Sequence, residues 1–222
     1  METQTLVKYL DLANHHQQAT PTDIQNLCQE VLTYGFNSAF VNPFYVAFAK
    51  EKLEGRAKVG TVVAFPLGQE LLTIKLASAV SSIENGADEL DVSLNVAYFK
   101  TGNFTESLEE AKAIVRESKA KRKEIIVKFI IETGCLTEDE IKRASEIVLE
   151  SGADFVKTCS GIGPRGATLR DVELIREAIG DRIKVKVAGG IDTLQEALDF
   201  IEKGVDRIGT SAAVKIIQEA SK

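Results

Sequence analysis

Residues 183–191 read IKVKVAGGI and residues 152–161 read GADFVKTCSG. Each is a short apolar, β-branched run that carries lysine inside it and then breaks into small residues and glycine. Lys184 and Lys186 stand two apart, so in a strand they share a face, with Lys186 nearer the C-terminal end. Lys157 is followed by Thr-Cys-Ser-Gly, which ends its strand. A barrel of parallel strands has a use for polar groups at those ends, because they open into its mouth. A doubly wound open sheet shares the strand and helix rhythm, but no G-x-G-x-x-G turn follows the first strand.

Working outward, the same alternation fills the chain. Strands are predicted at VKYLDLA (7–13), NSAFVN (37–42), KVGTVVAF (58–65), ELDVSLN (89–95), EIIVKFIIE (124–132), DFVKTC (154–159), IKVKVA (183–188) and DRIGTS (206–211). That makes eight, the barrel number. Amphipathic segments such as 103–123 and 136–152 lie between them, the second opening on a Thr137/Glu140 capping box. A helix over 193–203 ends at Gly204, suited to a left-handed cap. The expected fold is therefore α/β, a single-domain (β/α)8 TIM barrel over residues 1–222.

Composition agrees: 222 residues, 44% hydrophobic and 27% charged, fit one ordinary globular domain. A net charge of -6 argues against nucleic acid as a partner. No signal peptide or membrane-length apolar run is legible, so a cytoplasmic location without membrane association is expected. Cys28, Cys135 and Cys159 show no C-x-x-C spacing and suggest neither a disulfide framework nor a zinc site. Cys159 stands out only for lying two residues beyond Lys157.

A lysine inside a buried strand must find a partner or give up its proton. Lys157 is placed for a nucleophile, since a Schiff-base lysine must be neutral and a second ammonium nearby favours that form; Lys186 supplies one. Asp91, a charge inside the fourth strand, is the candidate proton-transfer partner, and Asp11 a second. Lys128 is a third strand lysine, and Lys184 is expected to be solvated at the bottom of the barrel. Taken singly, Lys157 could be a snorkelling or salt-bridged residue with Asp91 as its ion-pair partner. His15 and His16 precede a helix start at Thr20-Pro21 and read as a surface loop. Gly189 and Gly190 after the seventh strand, with Gly209 and Ser211 at the eighth and Gly161 after the sixth, suit phosphate binding by backbone N–H groups. Thr158 would lie beside the nucleophile.

Together TPTDIQNLC, VNPFYV, VVAFPLG, NGADELDVSLN, VKFIIETG, GADFVKT, GATLRDV, KVAGGI and RIGTSA, in this order, resemble the deoxyribose-phosphate aldolase family over nearly the whole chain. The resemblance implies reversible cleavage of 2-deoxyribose 5-phosphate to acetaldehyde and glyceraldehyde 3-phosphate, without metal or organic cofactor. It implies that Lys157 forms the Schiff base, that Lys186 tunes it, and that Asp91 relays protons. It also implies a homodimer or larger assembly whose partners are otherwise small sugar phosphates and aldehydes. The chain departs from the pattern at Phe40, at Ala212 where serine is common, and at Asp192 where arginine is common. A carboxylate there repels a phosphate dianion by about 1 kcal/mol unless it turns away as the N-cap of the next helix, a reading that Asp192-Thr193-Leu194-Gln195 fits.

Overall fold

Eight parallel strands close into a barrel in simple chain order, β1 pairing with both β2 and β8. The structure is a computed structural model and describes residues 1–221; Lys222, the last residue of the expected domain, lies outside the described residues. The strands are β1 (Leu10–Asn14), β2 (Ser38–Val41), β3 (Lys58–Val63) and β4 (Glu89–Ser93), then β5 (Ile126–Ile130), β6 (Phe155–Lys157), β7 (Lys184–Ala188) and β8 (Arg207–Thr210). Seven lie within their expected runs, and β1 passes its run by one residue, to Asn14. β1 starts late because Val7–Tyr9 form a 3-10 turn. β6 stops at Lys157, although the Thr158 N–H still donates to the Lys186 carbonyl.

The helices are α1 (Thr3–Leu6), α2 (Pro21–Tyr34), α3 (Val46–Leu53), α4 (Leu72–Glu84) and α5 (Val96–Lys100), then α6 (Phe104–Lys121), α7 (Glu138–Glu150), α8 (Leu169–Ile179), α9 (Leu194–Glu202) and α10 (Ala213–Ala220). Reciprocal capping boxes start four of them, pairing Thr20 with Asp23, Thr137 with Glu140, Thr168 with Asp171 and Thr193 with Glu196. The last corrects the reading of Asp192 as a cap. Thr193 occupies that position, and Asp192 is an exposed residue before it. Gly204 follows α9 at φ +81°, the left-handed geometry its place required. Among the described residues no helix is long and apolar enough to cross a membrane.

Strand alternation separates two interiors. Leu90 and Val92, Val127 and Phe129, and Val185 and Val187 point outward, are fully buried, and pack under the helices. Each is worth about 1.5–3 kcal/mol of burial. Their neighbours Glu89, Asp91, Lys128 and Lys186 point into the barrel and are as deeply buried. The stabilising core is thus the layer between strands and helices, and the barrel interior is charged.

Phe40 helps to fill that interior, and Gly60 on β3 makes room for it. A Cβ at Gly60 would come within 2.2 Å of the Phe40 ring. Gly60→Ala is expected to cost roughly 1–3 kcal/mol by overpacking, read as a lowered denaturant midpoint. Phe40→Leu should relieve much of the loss in the double variant.

Candidate active site

Six neighbouring strands contribute the buried charges, and register sets their heights. Asp91 on β4 lies beside Lys128 on β5, while Lys157 on β6 lies beside Lys186 on β7. Lys157 is level with Ile130, two residues beyond Lys128, so Lys128 sits deeper and Lys157 nearer the mouth. Asp11 on β1 and Arg207 on β8 complete the ring.

Asp91 is its centre. Its Oδ2 accepts from Lys157 Nζ at 2.8 Å and Lys186 Nζ at 2.9 Å, and its Oδ1 lies 3.2 Å from Lys128 Nζ. Asp11 pairs with Lys186 at 2.8 Å and with Arg207 at 2.7 Å, and it also accepts from Ser38 Oγ at 2.6 Å. Glu89, below them, holds Lys128. The result is a network of four buried cations, Lys128, Lys157, Lys186 and Arg207, around three carboxylates, Asp11, Glu89 and Asp91, with the half-buried Lys58 reaching Glu89 at 3.2 Å. Charges so far from water persist only in such mutual contact.

Burial opposes the charge on Asp91, yet the ammonium groups of Lys128, Lys157 and Lys186 hold it well below the ordinary carboxylate range. Glu89 behaves likewise and is brought down to about 2 by Lys128 and Arg207 against the cost of burial. Lys186 is lowered, by burial first and then by Lys128 and Lys157, while Asp11 and Asp91 resist. Lys128 moves the other way, since Asp91 and Glu89 outweigh its burial. Lys186 Nζ also rests 3.5 Å from the centre of the Phe40 ring.

A cavity of about 210 Å³ opens above this ring. Lys157 and Lys186 reach its floor, with Phe40 beside them. Gly161, Gly189, Gly190, Gly209 and Ser211 line it, as the glycine pattern anticipates. Gly189 needs its φ of +89° and lies against Gly161 and Gly166, where a Cβ would come within 3.2 Å of either. Asp11, Asp91, Lys128 and Thr158 are fully buried and do not line the cavity. For Asp11, Lys128 and Thr158 this corrects the expectation of substrate contact. The first two serve the charge network, and the Thr158 Oγ1 accepts from the Ala188 N–H. Lys184 is exposed at the bottom, as expected. Cys159 is buried beside Thr133 Oγ1, and burial raises its thiol, so it is an idle group.

The loop after β6 is held from behind. Arg165 clamps Asp171 with both nitrogens, at 2.6 and 2.9 Å, and the Ser160 N–H donates to Glu132 Oε2 at 3.1 Å. This fixes the segment carrying Gly161 beside Lys157.

Sequence reasoning missed three residues. Glu89 and Arg207 share strand faces with Asp91 and Gly209, and that period of two is the signal that would have found them. His15 corrects the surface-loop reading outright. Only His16 is exposed; His15 lines the cavity, with its ring 5.3 Å from that of Phe65 and Nδ1 3.3 Å from Asn42 Oδ1.

The model of the DeoC/LacD aldolase family matches residues 5–218. The chain belongs to that family. Its similarity to the deoxyribose-phosphate aldolase of Thermococcus gammatolerans is 43% identity over 97% of this chain and 96% of the relative. Among solved structures, the aldolase QR15 superposes with a TM-score of 0.91 at 38% identity, covering 97% and 96% of the two chains. The deoxyribose phosphate aldolase of Aeropyrum pernix, described as a unique tetramer, gives 0.90 at 30%, covering 100% and 93%. This DeoC/LacD protein is an aldolase and so a carbon-carbon lyase.

Acid should unfold this aldolase in two stages. His15 has its ordinary value of 6.5 lowered to about 4, by burial first and then by Lys157. Between those values the unfolded chain binds the extra proton, so stability is full above about 6.5 and is lost as pH falls toward 4. Glu89 adds a second loss below its ordinary 4.5, continuing toward about 2. The first stage is expected to be on the order of 1–3 kcal/mol, read from denaturant midpoints across pH, and His15→Asn should remove it while leaving the second.

Proposed function

We propose that this aldolase cleaves 2-deoxy-D-ribose 5-phosphate reversibly to acetaldehyde and D-glyceraldehyde 3-phosphate through a Schiff base on Lys157. The observation that carries the reading is the placement of Lys157 Nζ at the cavity floor, sharing Asp91 Oδ2 with Lys186. The name of the Thermococcus relative supports the choice of substrate.

The Lys157 amine adds to the sugar aldehyde, and the carbinolamine loses water to give an iminium. The bond between the second and third carbons then breaks, and its electrons form an enamine that neutralises the iminium. The proton of the hydroxyl on the third carbon passes by way of Lys186 to Asp91, 2.9 Å from it, and that carbon departs as the aldehyde of glyceraldehyde 3-phosphate. Protonation of the enamine carbon and hydrolysis free acetaldehyde and Lys157. Gly161, Gly189, Gly190, Gly209 and Ser211 form the wall for the phosphate end.

Asp192 favours a second reading. It lines the cavity and is exposed, so its charge faces the region where a phosphate would sit. An unphosphorylated acceptor aldehyde avoids that repulsion. Borohydride trapping with 2-deoxyribose 5-phosphate, followed by peptide mapping, tests the first reading: a reduced adduct on Lys157 supports it and an unmodified Lys157 removes it. The ratio of kcat/KM for 2-deoxyribose 5-phosphate and for 2-deoxyribose decides between the two readings.

The chain is further proposed to self-associate in the cytoplasm. Phe44, Leu67, Leu71 and Ile74 are large apolar residues more than half exposed, all in segments following β2 and β3. The tetramer described for the Aeropyrum enzyme supports the reading, and light scattering of the purified chain tests it.

A further inference from the structure

His15 has no task in the chemistry above. It follows β1, its Nδ1 is anchored to Asn42 beyond β2, and its ring faces Phe65 beyond β3. Those strands lie across the barrel from β6, so His15 stands on the wall facing Lys157. The Asn42 oxygen can only accept, so Nδ1 carries the proton, and Nε2 keeps its lone pair with no partner among the described residues. His16 also borders the cavity but is exposed to water at the rim.

Resting on the aldolase reading, we infer that His15 is a substrate-binding residue whose Nε2 accepts a hydrogen bond from the hydroxyl beyond the bond that breaks. In the synthetic direction this is the hydroxyl on the carbon next to the acceptor's carbonyl. His15 lines the same cavity of about 210 Å³ as Lys157 and the β7 and β8 glycines, so a chain linked to Lys157 and filling that cavity brings its middle carbons to the imidazole. The oxygen on the carbonyl carbon takes up a proton in synthesis and gives it up in cleavage, so a neutral acceptor serves it poorly. The neighbouring hydroxyl keeps its proton throughout and matches a lone pair. The neutral imidazole is maintained across the physiological range by burial and by the charge of Lys157, with Lys186 adding to it and Asp91 opposing.

The test is addition of acetaldehyde to two acceptors that differ only in this hydroxyl, 2-hydroxypropanal and propanal. The wild type is expected to prefer 2-hydroxypropanal. His15→Phe, which keeps a ring against Phe65, should cut the ratio of kcat/KM for the two acceptors about tenfold, the scale of one neutral hydrogen bond. His15→Gln, which retains an acceptor, should keep part of the preference. Borohydride trapping of acetaldehyde on Lys157 reports independently on a folded, imine-forming site and should be equal in all three proteins. An unchanged acceptor ratio in His15→Phe overturns the assignment while the aldolase reading stands. Failure of wild-type Lys157 to trap acetaldehyde overturns both.

Discussion

Lys157→Ala is expected to lose turnover by on the order of 10⁴-fold or more, because the variant has no group able to hold the electrons of the breaking bond. Lys186 cannot take over. It is pinned between Asp11 and Asp91 at 2.8 and 2.9 Å, whereas Lys157 has Asp91 alone. The fold should survive, since the buried charges are then three cations and three carboxylates and are balanced. The measurement is the rate of aldehyde release beside the thermal midpoint. Turnover within tenfold of the wild type in a folded variant would remove the imine mechanism.

Asp91→Asn should damage stability and activity together, for one electrostatic reason. The substitution leaves four interior cations against Asp11 and Glu89 alone. Breaking a buried pair in this way costs about 3–5 kcal/mol, or roughly 6–20 °C in the thermal midpoint for a chain of this size. Turnover is expected to fall about 10²- to 10³-fold as Lys186 and Lys157 lose their shared anchor. Adding Lys186→Met removes one surplus cation, so the double variant should regain stability without regaining activity. Equal stability of the single and double variants would show that Asp91 is not the hinge of the charge balance.

Much of this was legible because strand chemistry leaves a local trace. A lysine two residues from another, or an aspartate between leucine and valine, can be assigned a face from the period of two alone. The glycines after β6 and β7, and Gly209 at the end of β8, were readable for a similar reason, since strand ends and their loops have a known place in a barrel. His15 was not legible. It lies in an irregular segment with no period, and its contacts with Asn42 and Phe65 cross 27 and 50 positions of sequence. Asp192 was misassigned because the segment Asp192-Thr193 offers two good capping side chains in a row, and the choice fell to Glu196, whose carboxylate reaches the Thr193 N–H at 3.0 Å.

The sequence by itself determined the eight strands, the helices that cover them, the family, and the strand positions of Lys157 and Lys186. These follow from periodicity, capping residues and ordered motifs, all of which act over a few neighbouring positions. Only the tertiary structure decided which charges meet. Asp91 is 66 positions from Lys157 and 95 from Lys186, and Asp11 is 196 from Arg207. Closing the barrel brings them within 3 Å, and there, out of water, the charge of Asp91 is held by the ammonium groups it faces rather than by its own residue type.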